Sequence, residues 1–531
     1  MTEILSSLFF VLCLFFAWRR LPRYLHLLQQ DDYNNARFLR WIAKSVSVDK
    51  KASIALFVAW LFMGWISASY HPLVENAVAS VILAVFACFE ANPRAVAKKK
   101  LSMTARAKRI FGASVLVAAL ALFGLWDAHN SLTFILWVQA MPLFLVAGNL
   151  VLIPLEARTQ RRIVAEAKER LAEVAPTVVG ITGSFGKTSV KHILGHILSL
   201  NAKSLFTPGS VNTVMGISRV IREDLRDHCR YFVAEMGAYG QGSIARLCRL
   251  TPPSVGIITS IGEAHYERFK SLDSVARAKF ELAEAVIGKN GTMVVAESVL
   301  RLDYAKSFVE AHRKNFIVCG ASDAADLKII NVETKADGLF VSVAWHGKDY
   351  NLFAPLFGAH HAGNIALAFA TSALVGIEPE YAIAALRSVP QIAHRLEVKP
   401  QHDGTIFIDD AYNANPVGFV SGLELLSNLA KQKDGRSILV TPGIVELGAK
   451  HDEVHRELGA KAETYVDVLL AVCADRIPTF CEAFEKNKTK ILERFADFPA
   501  ARSWLSSNLR AGDVVLIEND LPDLYERKLD I

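Results

Sequence analysis

The sequence predicts an α/β protein in three parts: an apolar helical region over residues 1–156, a linker over 157–174, and two α/β domains over 175–390 and 391–531. Three observations predict it. Hydrophobic residues make up 52% of the 531, and the excess is concentrated before about residue 156. Past about residue 175, short apolar runs alternate with helical patterns, the rhythm of parallel-sheet domains. An apolar run, a glycine-rich loop and a helical pattern also follow one another from Val178 to Leu198. That order builds a phosphate-binding loop.

The first part divides into five apolar stretches, roughly Ile4–Trp18, Ala52–Tyr70, Leu73–Phe89, Ile110–Trp126 and Leu132–Leu155. The first is short for a hydrocarbon core of about 30 Å. A signal peptide is its alternative reading, although Met1-Thr2-Glu3 carries no positive charge ahead of it. Segment 19–51 holds Arg19, Arg20, Arg23, Arg37, Arg40, Lys44, Lys50 and Lys51, and segment 90–109 is as basic, with Lys98-Lys99-Lys100 at its centre. The alternate turns, near His71-Pro72 and Asp127–Ser131, hold no Lys or Arg. Positive-inside bias therefore places the N-terminus outside and everything after Leu155 in the cytoplasm. The expectation is a multi-pass protein of the cell (inner) membrane, with about five transmembrane helices in the lipid bilayer and cytoplasmic catalytic domains. No ionisable residue stands in the middle of a stretch, which favours an anchor over a conduit. Much of the +6 net charge belongs to these basic segments, so it reads as topology and no nucleic-acid partner is expected. The seven cysteines show no metal-ligand spacing and suit a reducing compartment.

In the second part, Val178–Ile181 reads as a buried strand and Val190, Ile193, Leu194, Ile197 and Leu198 show helical spacing. Between them lies Thr182-Gly183-Ser184-Phe185-Gly186-Lys187-Thr188-Ser189. Loop N–H groups and the helix N-terminus would face a phosphate chain, Lys187 would reach its terminal phosphates, and the Thr188 hydroxyl would hold Mg²⁺. The full consensus asks for a glycine where this chain has Ile181. Further strands are expected at Phe232–Ala234, Val255–Thr259, Thr292–Val295 and Phe316–Val318, a β-rich stretch over 327–356, and a helix from Asn364 to Val375. Beyond a boundary near Val389-Pro390, a second series has strands at Ile406–Ile408, Ile438–Val440, Val468–Val472 and Val514–Ile517.

These residues carry a resemblance. The loop, Glu235-Met236-Gly237-Ala238, Thr259–His265, Ala278-Lys279-Phe280-Glu281, Gly358–Asn364, His394-Arg395-Leu396 and Asp409-Asp410-Ala411-Tyr412-Asn413-Ala414-Asn415-Pro416 occur in the order of the Mur ligases. Over about residues 175–460 the chain resembles that family, and within it the MurF type. The resemblance implies a P-loop central ATPase domain and a Rossmann-like C-terminal domain. It implies an ATP-dependent ligase that phosphorylates a carboxylate and lets an amine attack the acyl phosphate. The family's phosphate loop also lacks the first glycine, so Ile181 is a mark of it.

The same resemblance assigns roles. Thr182, Gly183, Ser184, Gly186, Lys187, Thr188 and Ser189 would cradle the phosphates of ATP. Thr188, Glu235, His265 and Lys279 would serve Mg²⁺, with two ions and a carbamylated Lys279. Lys187, His265 and Lys279 would be the catalytic set. Asn364, Tyr412 and Asn413 would contact adenine, Arg395 the phosphates, and Asp410 the ribose. His361 replaces an asparagine usual in the family.

Three departures bear on the substrates. The family's N-terminal domain, which grips a uridine nucleotide, has no counterpart in residues 1–156. Gly443 stands where an aspartate is usual, within Thr441–Gly448. Glu518-Asn519-Asp520 replaces a Lys-Gly-Ser signature. The leading expectation is a membrane-anchored carboxylate–amine ligase whose substrates differ from those of MurF and are membrane-associated. The alternatives are a genuine MurF reaction, adding D-Ala-D-Ala to UDP-MurNAc-tripeptide, and an ATP-sensing membrane protein or scaffold.

Overall fold

The computed structural model describes residues 2–30, 33–44, 49–66, 72–90, 101–125, 131–262, 271–335, 337–411, 415–445 and 447–519. Two compact units meet after Arg161.

The first unit is helical: α1 (Thr2–Gln30), α2 (Asn35–Lys44), α3 (Lys50–Ile66), α4 (Pro72–Cys88), α5 (Ala105–Leu125), α6 (Ser131–Gln139) and the start of α7 (Met141–Val174). It differs from the five apolar stretches in two places. The first helix runs well past Trp18 and carries Arg19, Arg20 and Arg23 on helical backbone. The last stretch breaks at Ala140, before Pro142, whose missing N–H suits a helix start better than an interior. Among the described residues, α5 and α7 are the helices long and apolar enough to cross a bilayer, and Val74–Cys88 is a shorter apolar helix. Leu116, Leu120 and Phe123 lie on one outward face of α5, each at least 60% exposed. Inside the unit, Arg20 pairs with Asp49 and with Glu90, both at 2.5 Å. Asp49 also accepts the Tyr24 hydroxyl at 2.6 Å. The network draws α1, the start of α3 and the residues after α4 to one end of the bundle. Both expected cytoplasmic basic segments contribute to it. Residues 157–174 form the second half of α7, whose Ala167 and Leu171 enter a core of the second unit.

The second unit holds two sheets. In the first, β1 (Thr177–Thr182), β2 (Ser204–Phe206), β3 (Tyr231–Glu235), β4 (Val255–Ile258), β5 (Thr292–Ala296), β6 (Phe316–Gly320), β7 (Leu327–Lys335), β8 (Gly338–Trp345) and β9 (Lys348–Ala354) lie in the order β2-β3-β1-β4-β5-β6-β7-β8-β9. Pairing is parallel as far as β7 and antiparallel from β7 to β9, so the sheet is mixed. The inner parallel strands β1, β3 and β4 are buried along almost their whole length and read as apolar runs. The helices α8 (Lys187–Asn201), α9 (Val214–Asp224), α10 (Ser243–Leu250), α11 (Leu272–Ile287), α12 (Asp303–Ala311), α13 (His361–Leu374) and α14 (Pro379–Leu386) complete this domain. One core takes α8 and α13 against Ile181, Val233 and Ile257; the other takes α9, α10 and α11 against Phe232, Ala234 and Ile258.

The second sheet, β10 (Glu397–Pro400), β11 (Ile406–Asp410), β12 (Ser437–Thr441), β13 (Val468–Val472), β14 (Ile491–Phe495) and β15 (Val514–Glu518), has the order β10-β11-β15-β12-β13-β14. Only its edge pair β10–β11 is antiparallel. Its helices are α15 (Pro416–Lys433), α16 (His451–Tyr465), α17 (Pro478–Phe484) and α18 (Phe498–Asn508). Asn415 caps α15, its side chain accepting the Gly418 N–H at 3.0 Å, and Pro416 follows at the first helical position. That junction directs the chain from the end of β11 into the helix covering the sheet.

Candidate active site

The site begins where β1 ends. Ile181 pairs in register with Glu235 and is fully buried, so the strand continues through the position where a longer loop would place a glycine. The loop then turns at Gly183 (φ 157°) and Gly186 (φ 81°). A Cβ on Gly183 would run into Thr259 Oγ1, and one on Gly186 would lie 2.7 Å from Asn364 Oδ1. Neighbouring backbone and side chains hold the loop. Thr259 N–H donates to Thr182 O and Ser184 N–H to Ser260 O, both at 2.9 Å, while Phe185 N–H donates to Ser260 Oγ at 2.8 Å. The Thr182 hydroxyl donates to Met236 O at 3.0 Å, and Ser184 Oγ donates to Gly262 O at 3.0 Å. Ser189 is buried in α8. Lys187 folds over the loop and donates to Gly183 O at 2.7 Å and Ser184 O at 3.2 Å. Burial lowers its pKa, and the nearby Glu235 opposes that shift.

Glu235 ends β3 at the carboxyl edge of the sheet, where α/β ligands bind. One oxygen accepts the Thr188 hydroxyl at 3.0 Å and the Lys191 ammonium at 2.8 Å; the other accepts Asn212 Nδ2 at 3.2 Å. Lys191 also donates to Gly209 O, which ties Glu235 to the loop between β2 and α9. The Tyr239 hydroxyl extends the network to Asn212 Oδ1 at 2.9 Å. Lys191 and Asn212 did not emerge from the sequence. Lys191 stands one helical turn after Lys187 and therefore on the same side of α8, a spacing that could have revealed it.

Lys279 lies buried on α11. Its helix is fixed by Glu281, which accepts the Gly242 and Ala245 N–H groups at 2.5 and 2.9 Å. Burial, with the Lys187 cation next in weight, holds Lys279 well below the usual lysine range. A deprotonated amine is the form able to take up carbon dioxide.

Asn364, at the start of α13, lies against Gly186. Its Nδ2 is 3.3 Å from His361 Nδ1. Burial pushes His360 down to about 4 and His361 well below the histidine range, with Arg395 adding to both shifts. A cavity of about 580 Å³ is lined by Gly363, Glu297, Arg301 and Gly320. Arg395 lies between two residues of positive φ, His394 (58°) and Leu396 (48°), at the junction of the two domains. Its charge acts on Lys187 from one side and on Asp410 from the other. Asp410 ends β11, and burial raises its pKa to about 6. His394, Glu397 and Asp409 approach one another. Lys399 already pairs with Glu397 at 2.9 Å and Asp409 at 2.8 Å, which makes that cluster an ion-pair group. His265, Tyr412 and Asn413 lie outside the described residues. Of the remaining expected residues, the glycine loop and Glu235 lie at the carboxyl end of the first sheet and Asp410 at that of the second, while Lys279 is on α11, Asn364 on α13 and Arg395 just before β10.

A glycine cradle closed to any side chain, a helix N-terminus and a hydroxyl–carboxylate pair fit a nucleotide phosphate chain with a hard cation. The class this defines is a nucleotide-binding protein with a phosphate loop. Residues 181–372 match the Mur ligase middle domain, and residues 394–518 match the domain described as Mur ligase, glutamate ligase domain. The chain belongs to the Mur ligase family, ATP-dependent enzymes that form amide bonds and use ATP and Mg²⁺. Within it the chain is MurF-like. It is 30% identical over 364 residues to the UDP-N-acetylmuramoyl-tripeptide–D-alanyl-D-alanine ligase of Mycobacterium bovis, covering 64% of this chain and 70% of that one. The Bacillus subtilis enzyme of that name is 29% identical over 294 residues, covering 55% and 62%. Among solved structures, the Thermotoga maritima MurF ligase in complex with ADP superposes with a TM-score of 0.58 at 26% identity, covering 68% of this chain and 80% of that one. MurF from Acinetobacter baumannii shares the fold at 24% identity, with a TM-score of 0.59 and coverage of 69% and 78%.

Proposed function

We propose that the protein joins a carboxylate to an amine at the carboxyl ends of the two sheets, through an acyl phosphate, with release of ADP and phosphate. The observation that carries this reading is the convergence of Thr188 and Lys191 on Glu235 beside the glycine loop. In it, residues Thr182–Ser189 cradle the ATP phosphates and Lys187 leaves its loop carbonyls for the terminal phosphate. Arg395 approaches the phosphates from the domain junction. Asn364, Tyr412 and Asn413 take the adenine, helped by the cavity beside Gly363, and Asp410 takes the ribose. Thr188, Glu235, His265 and a carbamylated Lys279 would hold two Mg²⁺ ions, which supply charge neutralisation for phosphoryl transfer.

For the substrates, the named relatives support UDP-MurNAc-tripeptide as the carboxylate and D-Ala-D-Ala as the amine. Two assays test this. The chain should rescue a strain depleted of its own MurF, and the purified protein should release phosphate only when both substrates are present. Lys187→Ala serves as the inactive control, and failure to rescue by a well-expressed chain would sink the assignment.

A second reading, a membrane-anchored ligase with altered substrates, is favoured by the first unit, with the outward apolar face of α5 and the Arg20 ion-pair network at one end. Residues 1–156 would form the membrane region, 157–174 the connection, 175–390 the ATP-binding domain and 391–531 the C-terminal domain. A reporter fused after the C-terminus should then give a cytoplasmic signal in membrane fractions. A reporter signal from soluble fractions would refute the anchor.

A further inference from the structure

Two departures from the family meet in space. Asn519 Nδ2 donates to Gly443 O at 2.6 Å, and Asn519 N–H donates to Asp410 O at 3.1 Å. Gly443 needs its φ of +76°, and a Cβ there would collide with His455 Nε2, which accepts the Ile444 N–H at 3.0 Å. An aspartate at this position would therefore be crowded. The altered signature thus rebuilds the loop that Gly443 occupies.

The residue before Asn519 is the unusual one. Glu518 is the last residue of β15 and pairs in register with Asp410, the last residue of β11. It is fully buried, and among the described residues neither carboxyl oxygen has a hydrogen-bond partner. Its Oε2 points toward Gly422 of α15, where a Cβ would come within 2.9 Å of it, so only a glycine leaves it room. Burial raises the pKa of both acids, each disfavoured further by a neighbouring carboxylate, while Arg395 draws both down. Asp409, also at the end of β11, adds to the negative charge near Asp410 and is itself paired with Lys399. Where the resembled signature has a lysine, this chain places a second acid, and Arg395 is the cation whose charge acts on both. A buried polar group without a partner calls for an explanation, and a bound ligand is one that supplies it. The location is the carboxyl edge of a parallel sheet, the ligand side of such domains.

We propose that Glu518, beside Asp410, forms a binding site for a compact cationic group carried by the amine substrate, in addition to the nitrogen that reacts. The substrate class is a diamino or basic amino acid. This rests on the ligase reading above and specifies its amine, taking the second of the two substrate readings.

The test uses the full-length protein in detergent with MgADP bound, titrated calorimetrically with L-lysine, L-norleucine, D-alanyl-D-alanine and potassium chloride. L-lysine should bind at least about tenfold more tightly than norleucine, which has a similar chain without the ammonium, and than D-alanyl-D-alanine. Glu518→Gln should bring lysine to within about twofold of norleucine while MgADP binding, which reports folding, stays unchanged. Glu518→Lys should reverse the preference. Equal binding of lysine and norleucine, tighter binding of D-alanyl-D-alanine, potassium binding without a lysine preference, or an unchanged preference in Glu518→Gln would each overturn the proposal. Loss of MgADP binding by the wild-type chain would instead overturn the ligase reading and the inference with it, and the nucleotide arm separates that failure from the others.

Discussion

At the carboxyl end of the nine-stranded sheet, a buried acid is matched from within the chain: Glu235 receives Lys191 at 2.8 Å, Thr188 at 3.0 Å and Asn212 at 3.2 Å. At the same end of the six-stranded sheet, Asp410 and Glu518 stand side by side, and among the described residues neither Glu518 oxygen has a hydrogen-bond partner. The folds of the two ends are alike, a strand edge under a helix, but their electrostatics are opposite. A buried carboxylate with an internal counter-ion can stay charged without a ligand. A pair of acids cannot, so one must keep its proton or wait for an external cation. The first end holds the phosphate loop, and the second holds the acids on which the proposed amine site rests.

The largest effects should come from breaking the matched end. Lys187→Ala should reduce phosphate release by about 10³-fold, measured with saturating substrates. A residual rate near wild type would remove the loop from the chemistry. Lys191→Met leaves Glu235 buried without its cation and should cost about 3–5 kcal/mol in denaturant unfolding. Glu518→Gln should cost far less in the same measurement, because no partner is lost. Equal costs would erase the contrast.

Gly443→Asp, which restores the family residue alone, should destabilise by about 1–3 kcal/mol through its positive φ and the clash with His455. A neutral result would show that the loop adapts. The smallest effect is a pH dependence at the unmatched end. The folded pKa of Asp410 is raised above its unfolded value, so its contribution to stability is complete below the unfolded pKa and is lost as pH rises through about 6. Asp410→Asn should therefore gain on the wild type across that window in melting experiments. Parallel curves would mean that the Asp410 pKa is not raised.

Much of this was legible in order along the chain. The inner parallel strands announced themselves as apolar runs because both of their faces are buried, and Val468–Val472 was placed to the residue. The glycine loop was legible because few other sequences permit its backbone. The β7–β9 extension was read only as β-rich, since alternation does not reveal direction or partner. The break at Ala140 and the length of α1 were missed because continuous apolar composition hides helix ends.

By itself, the sequence determined the family, the two α/β domains and the phosphate loop, because local pattern and motif order carry that information. It also contained Lys191, Gly443 and Glu518, without meaning attached to them. Only the tertiary structure decided that Lys191 closes on Glu235 and that Asn519 bonds to Gly443. It alone placed Glu518 against Asp410, far away along the chain. The physical reason is that the cost of burying a charge depends on which partners the fold delivers, and partners many residues apart leave no periodic trace.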